Sequence, residues 1–148
     1  MIKIRVAEIS DAPVIADFNR RMASETENYN LPYNKVLSGV KNLFLKPEYG
    51  LYIVAESQNK ITGCLMITYE WSDWRNGLLF WIQSVYILPE YRRQGVFSKM
   101  YNFISNYAKE KGAAGLRLYV EKDNIGAQKT YEALGMKEAG YKLFELVF

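Results

Sequence analysis

The segment that most restricts how this chain can fold is the run LLFWIQSVYIL at positions 78–88, followed at once by PEYRRQGVFSK. The run does not alternate between apolar and polar residues, which predicts a strand covered on both faces and so a sheet held between layers. Beyond it, Val96, Met100, Ile104 and Tyr107 or Ala108 fall on one helical face, and Gly112, just after Lys109 and Lys111, marks a stop. A buried strand therefore runs into a short basic loop and directly into a helix of four to five turns.

The rest of the chain supplies partners for that unit. IKIRVAE alternates as a strand, and SDAPVIADFNRRMA reads as a helix with Ser10 or Asp11 as N-cap and Pro13 in its first turn. ETENYNLP reads as a polar connection, and YNKVLSGVKNLFLK as a second helix ending before Pro47. LYIVAES and ITGCLMITYEW are strands joined by a short hairpin at Gln58, Asn59 and Lys60. GLRLYVE reads as a strand, NIGAQKTYEALG as a helix capped by Asn124 and stopped near Gly135, and YKLFELVF as a closing strand. This order predicts an α/β (α+β) sheet layered with helices, with no repeat or linker to divide residues 1–148 into more than one domain.

Composition narrows the functional classes. With 49% apolar residues the 148-residue chain can build a core, which excludes a disordered protein. The net charge of +3 is too small to argue for nucleic acid, no apolar run reaches the length of a membrane span, and one cysteine cannot form an internal disulfide. There is no histidine, and no metal is expected. The N-terminal MIKIRVAEIS has no apolar signal-like region, so the expectation is a cytoplasmic protein without nucleic-acid or membrane partners.

A helix that starts at the end of a strand presents free N–H groups and the positive end of its dipole, a setting that favours an anion. In RRQGVFS, Gly95 permits close approach, Arg92 and Arg93 add positive charge, and Ser98 adds a hydroxyl. A solvated surface turn explains the same residues equally well, and the spacing is not that of a nucleotide P-loop. Gln83 and Ser84 are adjacent polar residues within the apolar run. They suggest either a bulge that frees backbone amides near Val85 or Ile87, or an internal hydrogen-bonded pair.

Two linked stretches resemble the GNAT (Gcn5-related) N-acetyltransferases. VYILPEYRRQGVFSKMY is similar to the family's acyl-CoA motif, a strand followed by [Q/R]-x-x-G-x-[G/A] at a helix start, matched by Arg92 and Gly95. LYVEKDNIGAQKTYEALGM is similar to its N-x-x-A-x-x-x-Y-x-x-x-G block, matched by Asn124, Ala127, Tyr131 and Gly135. Phe97 departs from the first pattern, where Gly or Ala stands, and is expected to turn into the core.

The resemblance covers nearly the whole chain. It implies a mixed, mostly antiparallel central sheet of about seven strands with helices on both faces, and transfer of an acetyl group from acetyl-CoA to a small-molecule or peptide amine. It further implies that Arg92, Arg93, Gln94, Gly95, Val96, Phe97 and Ser98 surround the CoA pyrophosphate. Val85, Tyr86 and Ile87 would border the pantetheine arm, with Asn124, Ala127 and Tyr131 on its other side. Tyr131 resembles the family's general acid, although Ala127, Tyr131 and Leu134 also read as a core stripe. Gln83 stands where many relatives carry a Glu, and an amide cannot accept a proton. Glu25 and Glu27 are the remaining acceptors near the expected amine pocket, unless they are merely solvated. Trp71, Asp73, Trp74 and Glu70 offer aromatic and acidic groups for a cationic amine, or simply a hairpin loop. Cys64 reads as a small core residue rather than a nucleophile. A non-catalytic acyl-CoA-binding module is the alternative, motivated by Gln83 and Phe97. The acceptor, and whether the chain forms a homodimer, stay open at this level.

Overall fold

A computed structural model describes residues 1–148 and contains one five-stranded sheet in the order β1-β2-β3-β4-β5. In chain order the elements are β1 (Lys3–Val6), α1 (Ala12–Glu27), α2 (Tyr33–Leu45), β2 (Gly50–Ser57), β3 (Lys60–Ser72), β4 (Gly77–Ile87), α3 (Val96–Glu110), β5 (Gly115–Leu118) and α4 (Ile125–Ala133). Strands β1 to β4 pair antiparallel, and β5 joins β4 in parallel. A parallel pair needs a crossover, and α3 is that crossover. No helix is long and apolar enough to cross a membrane.

Helices cover both faces of the sheet. On one side α1 contributes Ile15, Ala16 and Phe18 and α2 contributes Val40, against Tyr52, Val54, Cys64 and Tyr86. On the other, the α3 stripe Val96, Met100, Ile104 and Ala108 packs on Ile53, Ala55, Leu65, Ile67, Phe80 and Ile82. The apolar residues of β4 serve both clusters, which is why the strand lacks alternation. Gln58 (φ 50°) and Asn59 (φ 61°) form the two-residue turn between β2 and β3, both left-handed as a turn matching the strand twist requires.

Three sequence expectations change. First, α1 continues through Glu27 instead of stopping before ETENYNLP. Ala23 to Glu27 contains nothing that breaks a helix, and the stop comes at Asn28 in the left-handed region (φ 50°). Glu25 and Glu27 are therefore helical rather than part of a connection. Second, GLRLYVE is a strand only through Leu118, because its pairing with β4 ends at Ile82↔Leu118, where the two strands separate. Third, the sheet has five strands rather than about seven, and YKLFELVF is not one of them. That segment carries large apolar residues on both of its alternating faces, beside Glu145 on one and Lys142 on the other, and it pairs with no strand of the sheet.

Candidate active site

The loop from β4 to α3 leaves six consecutive backbone N–H groups, Arg93 to Ser98, without a backbone acceptor, and no side chain caps the helix. The next amide, Lys99, already donates to the Gly95 carbonyl at 3.1 Å. Helix geometry explains the last three of the six. The first three follow from the left-handed conformations of Arg93 (φ 62°) and Gly95 (φ 80°), which interrupt any continuing ladder and curve the backbone into a nest of donors. At Gly95 a Cβ would meet nothing within 4 Å, so its constraint is the dihedral and not space. Six donors at the positive end of the 15-residue α3 suit a multiply charged anion such as a pyrophosphate.

Beside this nest the sheet opens. Strand β4 runs on to Ile87 after β5 has ended, so no strand pairs with that side of β4 from Gln83 to Ile87. Within this stretch the register with β3 moves from Met66↔Gln83 to Cys64↔Tyr86, and Ser84 and Val85 together oppose Leu65. Ser84 at φ 52° marks the bulge. The Gln83 side chain donates to Thr68 Oγ1 at 2.6 Å, which satisfies it without a ligand. The notch between β4 and β5 is thus a slot of main-chain donors and acceptors leading to the nest.

Arg92 is differently occupied from what the sequence suggests. Its Nε donates to the Ile87 carbonyl at 2.8 Å and its guanidinium to Glu25 Oε2 at 3.1 Å, while its charged plane lies 5.3 Å from the centre of the Tyr86 ring. The Tyr86 hydroxyl donates to the other Glu25 oxygen at 3.1 Å. Partial burial, and then the hydrogen bond to Glu25, raise the Tyr86 pKa. These three residues tie the end of α1 to the end of β4 and brace the nest. Arg92 is therefore committed to a carboxylate, and Glu25 is an ion-paired group rather than a free base.

Across the nest, the Phe97 ring lies against Tyr131 (centroids 5.6 Å apart) and Tyr101 (6.3 Å) and joins the α3 cluster. Desolvation pushes the Tyr131 pKa upward, so the phenol keeps its proton through neutral pH, the form a general acid needs. Asn124 caps α4 by accepting from the Ala127 amide at 3.1 Å, and this bond orients the helix that carries Tyr131.

Other singled-out residues are not brought together. Glu27 is exposed. Trp71 pairs with Leu78, five residues before Gln83 on β4 and so about 17 Å away, and it borders a cavity beside the C-terminal end of α3. Asp73 and Trp74 lie in the β3–β4 turn at the same far end, with Trp74 89% exposed. Cys64 is buried and its thiol is pushed up to about 12 by desolvation, which makes it inert as a nucleophile.

In place of the hairpin tryptophans, Glu70 lines the open sheet face beside Gln83 together with Trp81, Arg117 and Tyr119, three residues that the sequence did not single out. Glu70 accepts from the Trp81 indole at 2.7 Å and from Arg117 at 3.0 Å, and the Trp81 ring lies 4.5 Å from Tyr119. The indole hydrogen bond, then Arg117, hold the Glu70 carboxyl below its ordinary pKa. Counting back from the β3–β4 turn would have placed Glu70 diagonal to Trp81, but nothing local in the sequence announces Arg117.

Comparisons with known proteins agree with this geometry. The family model described as Acetyltransferase (GNAT) family matches residues 12–136. A "possible acetyltransferase" from Clostridium difficile 630 superposes with a TM-score of 0.91 at 45% identity, covering 100% of this chain and 98% of that one. A "predicted acetyltransferase with acetyl-CoA" from Clostridium acetobutylicum shares the fold at 18% identity, with a TM-score of 0.80 over 99% of this chain and 96% of that one. Among curated proteins, the bovine (Bos taurus) thialysine N-epsilon-acetyltransferase is 33% identical over 78 residues, 53% of this chain. The chain matches only 45% of that relative's length.

Proposed function

This chain belongs to the GNAT acetyltransferase family, and from that premise we propose that residues 1–148 act as one catalytic domain that moves the acetyl group of acetyl-CoA to a primary amine of a small molecule or peptide, directly within a ternary complex. The observation that carries this reading is the six-amide nest at the mouth of the β4–β5 notch, with Tyr131 across from it.

The residues fit the cosubstrate. The amides of Arg93 to Ser98 would hold the pyrophosphate, and the free edge of β4 around Val85 and Ile87 would hold the amide-bearing arm and orient the thioester carbonyl. Bound acetyl-CoA supplies an activated acetyl group and a thiolate leaving group. Tyr131 donates its proton to that sulfur as the C–S bond breaks and a C–N bond forms. The proton lost by the amine passes to water, and the phenol is restored from solvent, so no acyl-enzyme is needed. The inert Cys64 supports the direct route. Amine transfer is also what the name of the thialysine N-epsilon-acetyltransferase describes for that relative.

One specific observation favours a non-catalytic acyl-CoA-binding module: Gln83 is held by Thr68 and Glu25 by Arg92, so no unpaired carboxylate waits at the bulge. Both readings require the nest to bind CoA. At CoA about a hundredfold above its Kd, binding to the folded state adds about 2.7 kcal/mol and raises Tm by on the order of 5–10 °C for a chain of this size. Differential scanning fluorimetry checks it, and no shift at millimolar CoA would remove the nest from the account. Phe97→Gly loses aromatic packing and places glycine in a helix. It is expected to lose about 2–4 kcal/mol of stability without gaining CoA affinity; tighter CoA binding by calorimetry would show that Phe97 blocks the site.

A further inference from the structure

Trp81 and Gln83 alternate along β4 with Phe80 and Ile82, which pack under α3, so they point to the opposite face of the sheet, the one on which α1 and α2 lie. Trp81 is nevertheless absent from the apolar cluster those helices build, and Glu70, Trp81, Gln83 and Arg117 all stay half-buried. They form a polar patch on an otherwise covered sheet, next to the point at Ile82↔Leu118 where β4 and β5 part.

Arg117 is held in this patch on two sides. Its Nη1 donates to both Glu70 oxygens, at 3.0 and 3.3 Å, and the Tyr141 ring centre lies 5.8 Å from its guanidinium carbon. Its Nε and Nη2 donate to nothing in the protein. Glu70 is in turn fixed by the Trp81 indole at 2.7 Å. The indole hydrogen bond, then Arg117 and Arg75, hold the Glu70 carboxyl below its ordinary pKa and so keep it charged. One carboxylate shared by two guanidinium groups leaves a positive charge over. A planar fork that is already oriented and still has free donors is a receptor for a carboxylate.

Resting on the acetyl-transfer reading above, we infer that Arg117 selects the acceptor: the amine carries a carboxylate several bonds from its reacting nitrogen, and Arg117 binds that carboxylate. Register sets the length. Arg117 stands level with Trp81, and Gln83 and Val85 lie two and four positions further along β4. At roughly 3.3 Å per residue those positions are about 7 and 13 Å on. An extended chain reaches about 1.2 Å per bond, so an amine adjoining its own carboxylate falls short, whereas six bonds from carboxyl carbon to nitrogen give about 7 Å. The Trp81 and Tyr119 rings, with centroids 4.5 Å apart, offer an apolar wall for the intervening methylenes. An acceptor with a second cation in place of the carboxylate would meet Arg117 instead, a like-charge contact that the patch disfavours.

Initial rates with acetyl-CoA compare 6-aminohexanoate with hexylamine, the same alkylamine with and without the carboxylate. The expected kcat/KM ratio is about 10–100 in favour of 6-aminohexanoate, the scale of a hydrogen bond between charged groups. Acetylation of 2-aminohexanoate, whose amine adjoins the carboxylate, should be slower than that of 6-aminohexanoate. Arg117→Gln should bring the ratio to about one, and Arg117→Lys, which keeps the charge and loses the fork, should retain part of it. A wild-type ratio near one, faster turnover of 2-aminohexanoate, or an unchanged ratio in Arg117→Gln would overturn the inference and leave the acetyl-transfer reading standing. Acetylation of polyamines or aminoglycosides, with 6-aminohexanoate and hexylamine both refused, would do the same. If no amine at all is acetylated, the acetyl-transfer reading itself falls and takes this inference with it. A poorly folded variant lowers both rates and not their quotient, and the wild-type ratio decides even if no variant folds.

Discussion

Tyr131→Phe is expected to lower kcat by about 10²–10⁴-fold, or about 3–5 kcal/mol of barrier, while Tm and CoA affinity stay nearly unchanged. The substitution removes one oxygen and keeps the ring that packs on Phe97. The phenol pKa is raised by burial alone, with no hydrogen bond contributing, so the folded state loses no partner when the hydroxyl goes. The oxygen's role is therefore confined to the step in which a proton must reach the departing sulfur. Because burial raises that pKa, wild-type kcat should hold through neutral pH and fall only above the ordinary phenol range, an alkaline limb that the Phe variant lacks. Steady-state kinetics across pH, with one thermal melt, measures all of this. Near-wild-type kcat with chemistry rate-limiting would leave water or the substrate as the proton source.

Gly50→Ala is expected to be the most destabilising single methyl in the molecule, at about 3–5 kcal/mol and so a large part of the total. Gly50 is buried at the start of β2, opposite Thr68. A Cβ there would fall inside the contact radius of the Ile67 carbonyl oxygen and lie 3.0 Å from its carbon. Those atoms are backbone in the centre of the sheet and cannot turn aside as a flexible side chain can. Relief requires β2 and β3 to part, and that pair supports both helical layers. Urea denaturation should show a lower midpoint at unchanged slope. Wild-type stability would mean that the Gly50↔Thr68 register is wrong.

Local chemistry made much of this molecule readable from its residues. The β4–loop–α3 unit was legible because three signals coincide there: a non-alternating apolar run, a glycine, and an i, i+4 stripe. The bulge was legible because two adjacent polar residues in a buried strand must find partners, although the partner Thr68 sits on β3 and no local pattern names it. The partner of Arg92 was illegible for the same reason. Its charge is visible in the sequence, but its occupation by Glu25, 67 positions away, depends on how α1 crosses the sheet. Aromatic content alone does not carry register: Trp71 and Trp81 lie on opposite faces, and Trp81 meets Glu70. The closing segment reads as a strand by composition, but composition does not supply the neighbouring strand, and within one chain that neighbour is missing.

The central claim, acetyl transfer to an amine on this scaffold, is tested most directly by incubating the full chain with acetyl-CoA and a panel of polyamines, aminoglycosides, amino acids and peptides, while following free CoA thiol and N-acetylated product by mass spectrometry. The account predicts amine-dependent release of CoA in step with one N-acetyl product, with initial-rate lines that intersect when both substrates are varied, as a ternary complex requires. CoA binding without release against every amine, or parallel lines indicating an acyl-enzyme, would contradict it.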